Sequence, residues 1–94
     1  MILVSIVVVG GHDRMAREYL NLCKKYKFKA KVFTQMKSGL KDNIGNPDCI
    51  ILLTDIVSHK MAQKAKKEAQ RKNIPVINNH NSSLNALEKI LKSI

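Results

Sequence analysis

Residues 1–14 read MILVSIVVVGGHDR, an apolar run that ends in two glycines and a charged segment. The run is rich in β-branched residues, which is typical of a strand buried on both faces of a parallel sheet. Gly10 and Gly11 then predict a turn, and Asp13 is the candidate N-cap of a following helix. The segment therefore predicts a strand–turn–helix unit. In such units, ligands bind where the carboxyl ends of strands meet the amino-termini of helices.

The length and composition predict one globular domain, residues 1–94. Hydrophobic residues make up 45% of the chain, but only two tyrosines and two phenylalanines are present, so the core must be aliphatic. The opening apolar run is shorter than the roughly 20 residues that cross a bilayer, and it lacks the charged start of a secretory signal. We therefore expect a cytoplasmic protein without membrane association. Cys23 and Cys49 have no zinc-finger spacing and are expected to be buried free thiols.

Three later segments predict the other strands. Residues 28–33 alternate apolar residues with lysine, as expected of a strand at the rim of a sheet, where lysine also protects an exposed edge. Residues 49–53 form the continuous apolar run CIILL, which is typical of a central strand. Residues 75–77 predict a short fourth strand, and residues 78–81 end it in a polar loop.

Helical patterns follow the first, third and fourth strands. The first helix closes near Tyr26, and the candidate N-caps of the later two are Ser58 and either Ser82 or Ser83. The connection between the second and third strands has the weakest pattern, in which Ser38 could cap a short helix. These elements occur in the order β-α-β-(α)-β-α-β-α.

This order, with right-handed crossovers, predicts a small doubly wound, Rossmann-like α/β domain of three layers. Its four-stranded parallel sheet is expected to have the order 2-1-3-4, which puts the topological switch point between the first and third strands. Because so small a sheet has two edges that need cover, the pattern is also compatible with a homodimer.

Polar residues follow the carboxyl ends of the first and third strands. Glycines there let a backbone approach a phosphate closely, helix amino-termini offer N–H groups, and an arginine or histidine adds positive charge. We therefore expect a phosphate-bearing, nucleotide-like small molecule at this edge; the alternative is that these residues only form turns and helix caps. The expected site consists of Gly10, Gly11, His12, Asp13, Arg14, Thr54, Asp55, Ser58 and His59.

Two known nucleotide-binding motifs are absent from the sequence. The dinucleotide motif GxGxxG would require glycines where His12 and Met15 stand, and no acidic residue closes the second strand, which disfavours a nicotinamide-dependent dehydrogenase. No GxxxxGK[ST] loop is present. Asp13 or Asp55 could work with a histidine as a general acid or base, but no spacing specifies a reaction. The sequence therefore leaves both catalysis and the cofactor undetermined.

The three histidines offer a metal-binding alternative. His12, His59 and His80 each follow a predicted strand, so a parallel sheet would place them at one edge. Three imidazoles suit zinc or a similar metal, and one histidine could serve as an axial ligand of haem iron. Their spacing matches neither HxH nor HExxH, and lone loop histidines are more often polar contacts. This alternative is therefore weaker than the phosphate-binding interpretation.

The formal net charge of +10 favours phosphate-bearing or other anionic partners. Lys60, Lys64, Lys67 and Arg71 recur at helical spacing and form one basic stripe, which can follow the backbone of a nucleic acid. A solvated helix face is the simpler interpretation, because no aromatic residue lies between these lysines to stack on bases. Nucleic-acid binding is therefore kept as the alternative in which the domain is a binding module.

Three segments together resemble a family of small bacterial proteins known as a domain of unknown function. They are VVVGGH at residues 7–12, DCIILLTDIVSH at residues 48–59 and IPV at residues 74–76. The resemblance covers nearly the whole chain, and its most specific parts are the glycine pair and the segment from Thr54 to His59. It implies a Rossmann-like cytoplasmic domain without an established activity.

Overall fold

The predicted alternation of strands and helices is present in the computed structural model, which describes residues 4–35 and 44–94. The short helix expected after Ser38 falls on residues outside these ranges. A 3-10 turn, Asp13–Met15, joins the first strand to the first helix. The described strands and α-helices are β1 (Ser5–Gly10), α1 (Ala16–Lys25), β2 (Lys29–Phe33), β3 (Cys49–Leu53), α2 (His59–Lys72), β4 (Val76–Asn79) and α3 (Leu84–Ser93).

The four strands form one parallel sheet in the order β2-β1-β3-β4. Val7 lies opposite Lys31 of β2 on one side and opposite Ile50 of β3 on the other, so β1 and β3 are the central strands. This confirms the predicted Rossmann-like α/β fold and its strand order. β2 and β4 form the edges of the sheet, and the homodimer stays a prediction.

Helices cover the sheet on both faces, and each central strand sends alternate side chains to the two sides. On one face, residues such as Ile6 and Val8 pack against α1 and α3; on the other face, residues such as Val7 and Val9 pack against α2. The helices contribute Tyr19, Cys23, Leu87 and Leu91 to the first cluster and Met61, Ala65 and Ala69 to the second. Burial on both faces explains why β1 and β3 are continuously apolar rather than alternating.

Two local predictions need correction. The prediction that Asp13 caps the first helix is wrong: the chain passes through the 3-10 turn first, and Met15 occupies the N-cap position of α1 without a side-chain hydrogen bond. Asp13 Oδ1 instead accepts a hydrogen bond of 2.7 Å from Thr34 Oγ1 at the end of β2. β4 also extends through Asn78 and Asn79, because their backbones pair with Leu52 and Leu53 and this pairing does not require apolar side chains.

The later two helices begin as predicted. Ser58 Oγ accepts a hydrogen bond of 3.1 Å from the Met61 N–H at the start of α2. Of the two candidates for α3, Ser83 is the N-cap, and its Oγ accepts from the Ala86 N–H at 3.1 Å. Within residues 4–35 and 44–94, no helix has the length and apolarity that crossing a bilayer requires.

The packing at the end of β1 requires glycine both at its last residue, Gly10, and at Gly11, which follows. Gly10 and Gly11 have φ values of +105° and +84°, which side chains rarely permit. A Cβ on Gly10 would lie 2.6 Å from the Leu53 carbonyl oxygen, and one on Gly11 would lie 2.5 Å from Tyr19 Oη. The Gly11 N–H donates to the Ile56 carbonyl at 2.7 Å. The glycine pair therefore joins the loop after β1 to the loop after β3.

We expect Gly11→Ala to lower the free energy of unfolding by about 2–4 kcal/mol, because it combines backbone strain with a clash against the buried Tyr19 ring. Gly45→Ala is the matched control: Gly45 also has a positive φ of +68°, but its added Cβ would approach nothing closer than Lys31 Nζ at 3.9 Å. That control should lose only about 1 kcal/mol. Urea unfolding of both variants measures the difference, and equal losses would contradict the packing argument.

A second prediction concerns the thiols. Burial raises the pKa of Cys23 to about 11, and burial together with Asp48 raises the pKa of Cys49. Ellman's reagent at pH 8 should therefore label neither thiol in the native protein and both in urea. The pKa of Cys23 is thus higher in the folded protein than the ordinary value of 9.0, which applies to the unfolded chain. The contribution of Cys23 to the free energy of unfolding is therefore present below pH 9 and is lost as the pH rises towards 11. A thiol that reacts rapidly in the native protein would contradict its burial.

Candidate functional site

The parallel sheet places the segments that follow β1, β3 and β4 at one edge, which we call the carboxyl edge. These segments are residues 11–15, 54–58 and 80–83, and they include most of the candidate site residues. The two exceptions are Gly10, the last residue of β1, and His59, the first residue of α2. α1 continues from β1 onto one face of the sheet, whereas α2 continues from β3 onto the other. The two helices diverge at the β1/β3 boundary, which is the switch point where open α/β sheets bind ligands.

At this switch point, backbone contacts join the loop after β1 to the loop after β3. Because the Gly11 N–H is bonded to the Ile56 carbonyl, it is not available to a phosphate. Gly10 packs against the same loop, where Ile56 O and Val57 Cβ lie 3.0 and 3.2 Å from the position of an added Cβ. A ligand at this edge would therefore rest on the joined loops rather than enter between them.

Asp55 holds the loop after β4 in place. Its Oδ2 accepts hydrogen bonds from both the backbone N–H and the hydroxyl of Ser82, each 3.1 Å long. The Ser82 carbonyl accepts a third bond, of 2.6 Å, from Tyr19 Oη of α1, and both Ser82 and Tyr19 are buried. Burial is also the main cause that raises the pKa of Tyr19. Asp55 therefore links the segments after β3 and β4, and Tyr19 connects the latter segment to α1.

Thr54 makes a similar connection between the ends of β3 and β4. Its backbone N–H donates to the Asn79 carbonyl at 2.8 Å, and its Oγ1 lies 3.2 Å from His80 Nδ1. His80 is thus held beside Thr54, on the β4 side of the switch point. The hydroxyl of Thr54 serves a contact within the protein.

Six candidate side chains at this edge are exposed: His12, Asp13, Arg14, Asp55, Ser58 and His59. His12 and Arg14 belong to the segment after β1, and His59 is the first residue of α2. The amino-terminus of α2 carries the positive end of the helix dipole at the same edge. Arg14, the two histidine rings and this helix terminus are the groups here that can contact an anion, and the carboxylates of Asp13 and Asp55 lie at the same edge.

A cavity of about 150 Å³ adjoins this edge at the end of β2. It lies beside the Asp13–Thr34 hydrogen bond and has both apolar and polar walls. Its lining residues are Asp13, Ala16, Val32, Phe33, Thr34 and Gln35. Since binding pockets for whole small molecules usually measure about 300–1,000 Å³, this cavity suits one group of a larger ligand.

The structure does not bring the histidines together as a metal centre. Across the described ranges 4–35 and 44–94, no three His, Cys, Asp or Glu side chains are grouped so that they could hold a metal ion. His12, His59 and His80 therefore do not form a three-ligand set. A single axial histidine for haem stays a prediction.

Sequence reasoning missed a groove of about 530 Å³ between the end of β4 and α3. The groove is rich in asparagine, serine and lysine, and the run NNHNSS at residues 78–83 was its sequence signal. Its lining residues are Asn79, Asn81, Ser83, Asn85, Ala86, Lys89, Ile90 and Ser93. Tyr19 was also missed as a part of the carboxyl edge, because its partner Ser82 is 63 residues away in the sequence.

The fold and this edge define a small Rossmann-like α/β domain with loops gathered at one switch point. The chain belongs to the family described as "Uncharacterized protein conserved in bacteria (DUF2325)", whose model matches residues 5–94. This confirms the resemblance to a bacterial domain of unknown function. No match was found among curated proteins.

Solved structures support the fold. A de novo designed Rossmann fold protein is similar with a TM-score of 0.64 and 18% sequence identity, over 96% of this chain and 95% of the design. The lactose-specific IIB component domain of the phosphoenolpyruvate:carbohydrate phosphotransferase system from Streptococcus pneumoniae is similar with a TM-score of 0.58 and 15% identity, over 98% of this chain and 94% of that domain. At these identities the likeness shows the fold alone.

We expect Asp55→Ala to expose the Ser82 amide to hydrogen exchange and to lower the free energy of unfolding by about 1.5–3 kcal/mol, because two hydrogen bonds to a carboxylate are lost. Asp13→Ala is the matched control, since it removes a carboxylate at the same edge whose partner is Thr34. Site-resolved exchange by NMR should show faster exchange at Ser82 in the first variant only. Unchanged protection of Ser82 in Asp55→Ala would contradict the assigned role.

Proposed function

We propose that this protein binds a phosphate-bearing small molecule of the nucleotide type at the carboxyl edge, above the boundary of β1 and β3. The observation that carries this proposal is the divergence of α1 and α2 to opposite faces of the sheet at a point where His12, Arg14 and His59 are exposed. Diverging loops beside a helix amino-terminus are the usual setting for anion binding in this fold class.

The geometry divides the expected site residues into two groups. Gly10, Gly11, Thr54 and Asp55 build the platform, since their backbone or side chains are bonded to neighbouring segments. The exposed side chains of Arg14 and His59 and the amino-terminus of α2, which Ser58 caps, are the groups that would contact phosphate. We therefore assign phosphate recognition to Arg14 and His59, and the shape of the platform to the glycine pair.

The small cavity at the end of β2 extends the proposed site. Asp13 lies both in the 3-10 turn beside Arg14 and in the lining of this cavity. A phosphate near Arg14 would therefore have its attached sugar or base directed towards Asp13 and Gln35. The net charge of +10 adds long-range attraction for such an anionic ligand.

A cytoplasmic location accompanies this proposal. Cys23 and Cys49 are both buried and unpaired, and free thiols persist most readily in reducing compartments, where nucleotides are also found.

The test begins with a thermal-melt screen against AMP, ADP, ATP, NAD and inorganic phosphate. A ligand at about 100 times its Kd adds roughly 2.7 kcal/mol, which for a domain of this size raises the Tm by about 10–20 °C. For the compound with the largest shift, calorimetry should then show that Arg14→Gln and His59→Gln each raise the Kd at least about fivefold, as expected when a charged hydrogen bond is lost.

Arg17→Gln is the matched control, because Arg17 is also exposed but lies one turn further along α1, away from the edge. Its Kd should stay within twofold of the unmodified protein. Gly11→Val is unsuitable as a probe, because its side chain would collide with Tyr19 and disturb folding. The proposal fails if none of the five compounds shifts the Tm, or if Arg14→Gln and His59→Gln leave the Kd unchanged.

A further inference from the structure

The outer surface of α2 has an unusual composition. The residues of this helix that are exposed are lysine, arginine, glutamine and histidine only. The opposite side of the helix, which includes Met61, Ala65 and Ala69, is buried against the sheet. We call the exposed residues of α2 that follow His59 the basic face. They are Lys60, Gln63, Lys64, Lys66, Lys67, Gln70 and Arg71.

The acidic residue of α2 pairs with the two cations at the end of the helix. Glu68 is only 3% exposed, and its carboxylate accepts from Arg71 at 2.8 and 3.2 Å and lies 3.6 Å from Lys72 Nζ. Glu68 therefore offsets the charge of Arg71. The positive charge of the basic face comes from Lys60, Lys64, Lys66 and Lys67, and no exposed carboxylate of α2 lies among them, unlike an ordinary solvated face in which both signs alternate.

The dimensions of the basic face match a nucleic-acid duplex. At 1.5 Å per residue, the stripe from Lys60 to Arg71 extends over about 16 Å, and an α-helix with its side chains is about 10–12 Å wide. The major groove of B-form DNA is about 12 Å wide. Lys64 and Lys67 also line a cleft of about 400 Å³ together with the ion pair of Glu68 and Arg71.

Other anionic polymers and surfaces fit less well. Single-stranded nucleic acids are bound on exposed aromatic side chains, but Tyr19, Tyr26, Phe28 and Phe33 all pack into the two core clusters. An interfacial membrane helix inserts an apolar side into lipid, whereas the apolar side of α2 already covers the sheet. Double-stranded RNA has a deep, narrow major groove that does not admit a helix.

We propose that the basic face of α2 binds the phosphate backbone of double-stranded DNA, without sequence selection, as a second binding surface on this domain. The contacts are electrostatic, because they join lysine side chains to phosphates. The lysines recur at helical spacing on a convex helix, so they can contact phosphates on both sides of a groove. Binding in this mode releases counterions from the DNA and therefore weakens steeply with salt. This surface begins at Lys60 and does not include Arg14 and His59, the phosphate-recognition groups of the carboxyl edge.

The test uses a labelled duplex of mixed sequence, 24 base pairs long, titrated with the full chain in 50–200 mM KCl and followed by fluorescence anisotropy. Four phosphate contacts, one for each lysine of the basic face, predict a slope of log Kobs against log[KCl] of about −3.6. Lys64→Gln with Lys67→Gln should reduce the slope to about −1.8 and weaken binding at 50 mM KCl at least about tenfold. Glutamine keeps helix propensity close to that of lysine, so the fold is retained.

The matched control is Arg17→Gln with Lys24→Gln on α1. It removes the same charge from exposed positions on the opposite face of the sheet, and it should leave the slope within about 0.5 of the original value. Equal losses in the two double variants would overturn the proposal, because only the net charge would then matter. It is also overturned by absence of duplex binding at 50 mM KCl, or by tighter binding to single-stranded DNA, duplex RNA or anionic phospholipid vesicles than to duplex DNA.

Discussion

The hydrogen bond from the Gly11 N–H to the Ile56 carbonyl is the contact on which the carboxyl edge depends. It joins the loops that leave the two central strands, and it forms only because neither Gly10 nor Gly11 carries a side chain. Tyr19 fills the space beneath Gly11 and donates to Ser82, which Asp55 also binds. One close backbone approach therefore determines the positions of three loops at once.

This arrangement separates residues that build the edge from residues that are available to a ligand. A glycine pair after a strand is usually interpreted as a phosphate-binding loop, yet here its amide and its missing side chains serve the packing of the protein. Thr54 and Asp55 have the same character, because their polar atoms are bonded to the segment after β4. The exposed cations around this platform keep the capacity to meet an anion, and the proposed function rests on them.

The two regions proposed to bind anions differ in shape. At the carboxyl edge, exposed polar and charged side chains surround the joined loops, which is the setting proposed for a small anion. The basic face of α2 is convex and extended, which suits a polymer with regularly spaced phosphates. The two regions meet near the amino-terminus of α2, where His59 precedes Lys60. A ligand at the edge would therefore lie beside the start of the basic face, so the charge of one partner would affect the binding of the other.

The sequence by itself determined the strands, the strand order and most helix starts, because these follow from local patterns: apolar runs at β1 and β3, and Ser58 three residues before the N–H that it caps. It also indicated that the polar residues would gather at one edge, since all parallel strands end there. Only the tertiary structure decided the side-chain partners. Asp13 bonds Thr34, Asp55 bonds Ser82 and Tyr19 bonds Ser82 across separations of 21, 27 and 63 residues. Such contacts depend on how the helices dock on the sheet, and no local period in the sequence records that docking.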